Sequence, residues 1–458
     1  RIDRSGQIMG YEISEGVIRS AARMTYTAVN AVLEGDAGLR RRYAPLAAQF
    51  DLMRELAMTL NRRRARRGSI DFDLPEPVIE FDEQGLMSGV SRSERNVAHR
   101  IIEEFMLSAN ECVATYLERR GIASLYRVHE KPDPKKVLEF EQVAATFGYS
   151  LGVGNVPVRR ISMRAERRPQ RAHYRGGSTH HRERQREVVE IPEDVHITPR
   201  MYQKLTEKIA GKPEERILAY LMLRSLKQAR YSEQNLGHFA LASPTYTHFT
   251  SPIRRYPDLV VHRILKDVLH NMAERSEGPV PVGVGAALPA GGIEEKLATG
   301  PGAHAPEAGR RADGAGDSGP MDEDELHGIA DNASQAERRA DDAERELLEW
   351  KKVKFMADRV GEEFSGLVVS VTKFGLFIEL NELFIEGLAP ITTLPNDRYT
   401  YRETTKQIMG ERTKRTFSLG DQVNVIVDRI DSVQRRIQFA VLVEESAITP
   451  RKKRSKGH

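Results

Sequence analysis

Residues 363–390 read Glu363-Phe364-Ser365-Gly366-Leu367-Val368-Val369-Ser370-Val371, then Phe374-Gly375-Leu376-Phe377-Ile378-Glu379-Leu380, then Ile385-Glu386-Gly387-Leu388-Ala389-Pro390. Each run is short, rich in β-branched and aromatic residues, and bounded by turn residues, which is strand chemistry and not helix chemistry. Two more runs of this kind follow, Gln422 to Ile430 and Arg436 to Val443. Five short strands within about 80 residues predict a small Greek-key barrel of the OB type over 361–443. In such a barrel Phe374 and Phe377 can offer flat faces to unstacked bases, with Lys373 supplying charge for a phosphate backbone. Alternation requires that at least one of the two phenylalanines, together with Phe364, faces the core instead. Tyr399 and Tyr401, in the long loop before the fourth strand, are weaker candidates of the same type.

Upstream of the barrel the pattern changes. A connecting helix is predicted over 333–360, because Leu347, Leu348, Val353 and Met356 return near helical spacing behind a charged run. Residues 275–332 are rich in Gly, Pro, Ala and acidic residues, and no aromatic occurs between Tyr256 and Trp350. That composition predicts a disordered insert. Residues 14–270 are mainly helical in pattern. Ser91-Arg92-Ser93-Glu94 reads as a capping box opening a helix that buries Ile102, Met106, Ala109 and Val113. A short β element is expected from 69–74 and 78–81 around a proline turn, and another helix from about Pro257 to His270.

The chain has 458 residues with a net charge of +4, enough for about three domains and a sizeable core. Basicity is concentrated in two places. Residues 159–187 contain ten arginines against three glutamates, and 451–458 contain five lysines and arginines. The first reads as a flexible insert in the larger domain; the second lies in a basic tail, 444–458. Such runs attract polyanions through counterion release, nucleic acid first, with a membrane surface or plain solubility as the blander account. The single cysteine, Cys112, excludes an internal disulfide framework and agrees with a reducing, cytoplasmic setting. No apolar run approaches the roughly 20 residues of a membrane helix. The chain opens Arg1-Ile2-Asp3-Arg4-Ser5-Gly6, without an initiator methionine and as if within a strand, so a longer protein with its front missing is expected.

The most specific string is Thr247-His248-Phe249-Thr250-Ser251-Pro252-Ile253-Arg254-Arg255-Tyr256-Pro257-Asp258-Leu259-Val260-Val261-His262-Arg263. It places an arginine pair in a proline-bounded turn at a helix start, where backbone donors and guanidinium forks both suit a phosphate. Structural salt bridges at a helix start are the alternative use of those arginines.

The whole string closely resembles the arginine motif of the RNase II and RNase R family of processive 3′ to 5′ exoribonucleases. Glu103-Glu104-Phe105-Met106-Leu107-Ser108-Ala109-Asn110 resembles that family's helix with an acidic contact to the terminal nucleotide, and Ser20-Ala21-Ala22-Arg23-Met24-Thr25-Tyr26 its helix with an aromatic clamp. Gly361 to Gly366, Val371 to Phe377 and Ile385 to Leu388 resemble an S1-type RNA-binding domain. Within the family, the Pro257-containing motif and the basic tail favour the RNase R branch. The resemblance implies an α+β chain: a largely helical C-terminal portion of an RNB catalytic domain over 1–274, then the five-stranded S1-type barrel and the basic tail.

Carried over residue by residue, Arg254 grips the scissile phosphate, Arg255 assists or braces the loop, and Tyr26 bounds the last bases. One of Glu103 and Glu104 bonds the terminal ribose. Helical geometry favours Glu103, which shares a polar face with His99 and Asn110. Glu337 and Glu344 fall where the family has a further acidic contact. The resemblance also implies magnesium, held by an aspartate cluster upstream of Arg1, so no metal ligand is expected in this chain; Asp71 and Asp73 are read as structural. The partner implied is single-stranded RNA, with no membrane, a monomeric state, and ribosome or RNA-decay contacts through the tail. The alternative is a non-catalytic RNA-binding protein on the same scaffold.

Overall fold

The computed structural model describes residues 1–72, 77–85, 87–92, 95–153, 196–212, 214–274, 320–403 and 405–442, and the backbone of 159–162 and 187–190. They form two compact units, Arg1–Phe72 with Val97–Ala333 and Asp73–Asn96 with Ser334–His458. Among the described residues no helix is long and apolar enough to cross a membrane.

The first unit is helical. Helix α1 (Tyr26–Glu34) starts where Thr25 turns its hydroxyl onto the Ala28 amide, and stops at Gly35, whose φ of 99° is open to glycine without strain. Helices α2 (Ala37–Arg42), α3 (Ala44–Arg67) and α4 (Val97–Arg119) follow, with Val32, Leu33, Phe50, Ala57 and Ile101 buried between them. Strand β3 (Tyr126–Val128) pairs antiparallel with β6 (Arg230–Ser232). Between them lie α5 (Pro134–Thr146), α6 (Pro199–Ile209), α7 (Glu215–Ser225) and a short antiparallel pair, β4 (Arg159–Ser162) and β5 (Glu187–Glu190). That pair brackets the arginine-rich insert; residues 163–186 lie outside the described residues. Helix α8 (Tyr256–Glu274) buries Val260, Val261, Ile264, Leu265 and Val268 as its periodicity requires.

Four expectations are corrected. The predicted capping box is not one: Ser91 and Arg92 lie in strand β2 (Met87–Arg92), opposite Val78 and Pro77 of β1 (Pro77–Phe81), and α4 begins at Val97. Strand pairing claimed those residues first. Residues 69–72 are not a strand; Ile70 instead donates its amide to Ala240 O at 2.8 Å. On α4, Ile102 is 45% exposed, while Ala98, Ile101, Glu104, Leu107, Glu111 and Ala114 are buried. The helix is turned about one residue from the apolar reading because arginines of α3 neutralise Glu104 and Glu111 on the buried side. Finally, the insert expected to run to 332 ends sooner. Helix α9 (Glu323–Ala357) starts ten residues before the predicted 333, capped by Asp322 on the Glu325 amide at 2.7 Å. Leu326 and Ala330 pack into the core beneath α8, and that burial orders the segment in spite of its acidic composition.

The second unit holds the β1–β2 hairpin, the later part of α9 and the barrel. Strands β7 (Glu363–Thr372), β8 (Gly375–Leu380), β9 (Glu386–Pro390), β13 (Gln422–Asp431) and β14 (Arg436–Leu442) close in the order β13-β14-β9-β8-β7. These are the five predicted strands, each within a residue or two. A separate sheet, β10 (Tyr399–Arg402), β11 (Gln407–Gly410) and β12 (Thr416–Phe417), fills the long loop. It withdraws Tyr399, which is 8% exposed and donates its hydroxyl to Pro395 O, and Tyr401 packs against the barrel core. The basic tail lies outside the described residues.

One turn of the barrel has no room for a side chain. Gly375 has φ 152°, and a Cβ there would stand 2.1 Å from Ala389 O. Gly375→Ala is therefore expected to destabilise the barrel by about 3 kcal/mol or more, through overpacking and backbone strain together. Urea unfolding followed by the fluorescence of Trp350, the single tryptophan and a residue of this unit, measures it.

Candidate functional site

The arginine loop is built by a buried carboxylate. Asp258, in the first turn of α8, has no solvent exposure. It accepts from the Ser251 amide at 2.8 Å, from Arg255 Nε at 2.8 Å and from Arg255 Nη2 at 2.8 Å. The bidentate pair and the amide pin both ends of the turn that carries the arginines. Arg254, two peptide units from Pro252, is exposed and makes no side-chain hydrogen bond or ion pair among the described residues. The pair thus splits: Arg255 takes the structural role that was the alternative reading, and Arg254 is left with its fork in solvent at the helix start.

Helix α4 is the spine beneath this loop. Asn110, fully buried, donates to Tyr246 Oη at 2.9 Å and accepts from the Phe249 amide at 3.1 Å, fixing the strand of chain that enters the turn. His262 Nε2 lies 2.9 Å from Phe249 O, and its ring stacks on Phe249 at 3.9 Å. Seven residues earlier on α4 is Glu103, and one turn before that His99. The ring of His99 stacks on Tyr26 with centroids 4.0 Å apart. Tyr26 is the first residue of α1 and keeps 46% of its surface exposed.

The two glutamates differ sharply. Glu104 is 3% exposed and accepts from Arg64 Nε at 3.0 Å, Arg64 Nη2 at 2.9 Å and Asn61 Nδ2 at 2.8 Å. It is committed to the core. Glu103 lies 3.6 Å from the same guanidinium with its side chain 29% exposed. Of the two, Glu103 is the more exposed, and it lies one helical turn from His99, the residue that stacks on Tyr26. Asp71 is held by Arg64 at 3.4 Å, and Asp73 lies outside the described residues.

Behind the loop three histidine rings and two tyrosines meet edge to face. His129 and His238 are 5.2 Å apart, His238 and Tyr246 5.3 Å, Tyr246 and His248 5.9 Å, and Tyr231 and His248 5.6 Å. Burial, then the Arg255 and Arg127 cations, pushes His248 down to about 3. Burial lowers His129 to about 4 and His238 well below the usual imidazole value. All three are neutral packing and hydrogen-bonding groups at neutral pH; His248 Nδ1 meets Tyr231 Oη at 2.9 Å.

On the barrel, Phe374 is 64% exposed with Lys373 Nζ 5.0 Å from its ring centre. Phe377 is partly exposed and shares a cavity wall with Phe374. Phe364 packs against the core as alternation demanded, but neither Phe374 nor Phe377 is buried with it, so the expectation that at least one of those two faces the core is corrected.

Among the described residues no group of three or more His, Cys, Asp and Glu side chains is placed to hold a metal ion. The buried carboxylates Asp258, Glu104 and Glu111 are each matched by an arginine. These residues therefore do not make a fitting set for the magnesium that the resemblance implies. What the sequence reading missed is this arginine matching and the roles of Asp258 and Asn110. A signal existed for the first: Arg64 and Arg67, in the run Asn61-Arg62-Arg63-Arg64-Ala65-Arg66-Arg67, are one helical turn apart, and Glu104 and Glu111 are two.

The comparisons agree with this architecture. The RNB domain model matches residues 1–271 and the S1 RNA binding domain model residues 357–442. Ribonuclease R 1 of Lactococcus lactis is 37% identical over 97% of this chain and 44% of its own length. Ribonuclease R of Aquifex aeolicus is 36% identical over 96% and 51%, and that of Escherichia coli 33% identical over 100% and 48%. The apo form of Mycoplasma genitalium RNase R shares the fold, with a TM-score of 0.66 and 23% identity over 92% of this chain and 53% of that one. The same enzyme has been solved with ribose methylated single-stranded RNA. The chain spans about half the length of the curated relatives it matches. With an RNB domain over more than half of its residues and an S1 domain after it, the chain belongs to the RNB family of ribonuclease R-like proteins.

Proposed function

We propose that this chain binds the 3′ end of single-stranded RNA and supplies the phosphate, ribose and base contacts of a processive 3′ to 5′ exoribonuclease that releases nucleoside 5′-monophosphates. The observation that carries the reading is the split arginine pair: Asp258 consumes Arg255 and leaves Arg254 exposed on a rigid turn. In this reading Arg254 donates to the scissile phosphate and offsets the negative charge that grows there during displacement. Glu103 accepts from the terminal 2′-hydroxyl, the group by which a site tells RNA from DNA. Tyr26, backed by His99, stacks on a terminal base, and Phe374, Phe377 and Lys373 hold the strand further from its end. Divalent ions, magnesium by resemblance, are the family's means of activating water; none of the described residues is assigned to them, and no step above passes through a metal.

A second reading, RNA binding without cleavage by these residues alone, is favoured by the arginine matching of every buried carboxylate near the loop. Both readings are tested together. Fluorescence anisotropy with a 5′-labelled single-stranded RNA is expected to show binding that Arg254→Ala weakens about 10- to 100-fold, the value of a charge-assisted phosphate contact. Its unfolding free energy should change by no more than about 0.5 kcal/mol, as for an exposed side chain. Unchanged affinity would remove Arg254 from the site. With magnesium present the bound RNA is expected to stay at full length; stepwise shortening abolished by EDTA would place a complete metal site within this chain.

A further inference from the structure

The small sheet that fills the long barrel loop turns its rings in and its cations out. Tyr399, Tyr401 and Phe417 all pack toward the barrel core. At the end where the β11–β12 turn meets the entry to β10, Arg398, Arg412, Lys414 and Arg415 are exposed. One carboxylate builds that end. Asp397 accepts from the Arg398 amide at 2.8 Å, the Arg412 amide at 3.0 Å, the Thr413 amide at 2.6 Å and the Thr413 hydroxyl at 2.6 Å. These bonds, the Thr413 hydroxyl first among them, hold its carboxyl well below the usual carboxylate range, so the latch stays ionised at neutral pH. Carbonyls brace the cations: Arg412 Nη2 donates to Asn396 O at 2.9 Å and Lys414 Nζ to Glu411 O at 2.8 Å, while Arg415 lies 5.1 Å from the Phe417 ring centre. Among the described residues none of these three pairs with a carboxylate. Glu411 stands 3.9 Å from Arg398, and the nearby acids Glu403 and Asp421 lie at the other end of the sheet with Arg402, Gln407 and Ser418.

We propose that this end of the sheet is a phosphate grip for double-helical RNA, a site separate from the barrel's aromatic face. The choice of nucleic acid as the polyanion rests on the RNA-binding reading of the chain. Single strands are held chiefly by rings that stack on unpaired bases, and this surface offers no such ring. It offers cations on a latched turn, which bond phosphate oxygens whatever the bases do. A double helix is the form of RNA that hides its bases and crowds its phosphates, at a density like the one charge per roughly 1.7 Å of axis of duplex DNA. Arg412 and Arg415 supply planar forks that suit phosphate, and Lys414 a point charge. Fixing the turn beforehand lowers the ordering cost of binding. The grip and the aromatic face can serve one molecule. Ile391, where the chain leaves the barrel, donates its amide to Phe374 O at 2.9 Å, and the chain from there to Arg398 spans at most about 25 Å. A stem held at the grip leaves its single-stranded extension within reach of Phe374 and Phe377.

The test uses the full chain and three fluorescein-labelled probes read by anisotropy: a blunt RNA duplex, a blunt DNA duplex of the same length, and a single-stranded RNA. The triple variant Arg412→Gln, Lys414→Gln, Arg415→Gln is expected to bind both duplexes about tenfold more weakly and to lower the slope of log affinity against log salt by about 2 to 3, the counterions of three phosphate contacts. A charge-matched control on exposed lysines of α5 and α6, Lys135→Gln, Lys136→Gln, Lys208→Gln, is expected to change duplex affinity by less than about twofold. Asp397→Ala separates a built grip from mere charge. It removes a negative group beside the cations, so charge counting expects tighter binding, whereas a latched grip loosens by about threefold or more. Asp397→Asn loses the same charge but keeps one acceptor oxygen, and its affinity is expected to lie between those of Asp397→Ala and the unaltered chain. Duplex binding that the triple variant leaves unchanged, that the control weakens equally, or that Asp397→Ala strengthens overturns the proposal. So does a preference for the RNA duplex over the DNA duplex beyond about tenfold, since phosphate contacts carry no reading of the sugar. Duplexes that bind while single-stranded RNA does not would sink the 3′-end reading and leave the grip standing; the reverse pattern would sink the grip alone.

Discussion

Asp258→Ala is expected to lower the stability of the first unit by about 3–5 kcal/mol, because it removes one member of a buried ion pair and leaves the other charged. The carboxylate it deletes has no solvent exposure and accepts three hydrogen bonds, two from Arg255 and one from the Ser251 amide. Arg255 retains 20% of its side-chain surface, too little for water to replace both bonds without moving the turn. The loss should appear in the helical unfolding transition followed at 222 nm, roughly the wavelength of helical backbone absorption, while Trp350 fluorescence, which reports the second unit, keeps its midpoint. RNA affinity should fall with it, since Arg254 depends on that turn for its position. A double variant, Asp258→Ala with Arg255→Met, is expected to recover part of the stability, because it removes the orphaned charge, and little of the RNA affinity. A loss below about 1 kcal/mol for the single variant would mean that the pair is solvated and braces nothing.

How much of this was legible in the sequence depends on whether a residue's partner was legible too. The barrel strands could be read from alternation alone, because a closed sheet buries one face of each strand and the pattern of Val368, Val371, Leu376, Ile378 and Leu380 records that face directly. Helix α8 was equally plain. Helix α4 was misread because its buried face contains Glu104, Asn110 and Glu111, and an apolar count assigns such residues to solvent. They are tolerated inside only because Arg64, Asn61, Arg67 and Tyr246 meet them from distant parts of the chain. The start of α9 failed for the opposite reason: a segment of acidic and small residues buries Leu326 and Ala330 fully and Met321, Ile329 and Ala333 in part, and so few apolar residues do not outweigh composition in a window. At the candidate site the string around Arg254 and Arg255 was conspicuous, but the division of labour between them is set by Asp258, three residues beyond Arg255. Nothing in one-dimensional spacing says which arginine a buried aspartate will take.

The histidine cluster behind the loop gives the second large effect, a steep acid limit on the first unit. In the folded chain His129 is depressed to about 4 and His248 to about 3, and His238 also lies far below its ordinary value. Burial is the leading cause for all three; Arg127 adds repulsion to each, Arg255 and Arg254 add it to His248, and Asp258 opposes it there. In the unfolded chain each imidazole titrates near about 6.5. The sign follows from proton counts. Between pH about 6.5 and about 4 the unfolded state binds protons that the folded state refuses, so stability is complete above that window and falls as pH drops through it. Each histidine contributes a slope of up to about 1.4 kcal/mol per pH unit, and three together up to roughly 4. Between pH about 6.5 and about 4 that slope removes up to about 10 kcal/mol, enough to exhaust all but the upper part of a typical stability of about 5–15 kcal/mol. The second unit has no histidine among its described residues, so it lacks this source of acid lability. Urea unfolding measured at a series of pH values should give a helical transition that loses stability with an uptake approaching three protons, and a Trp350 transition with a much smaller slope. His248→Gln should reduce the uptake by one proton. An uptake of one proton or fewer in the unaltered chain would mean that these rings are hydrated in solution, and the packed ladder from His129 to His248 would not be what supports the arginine turn.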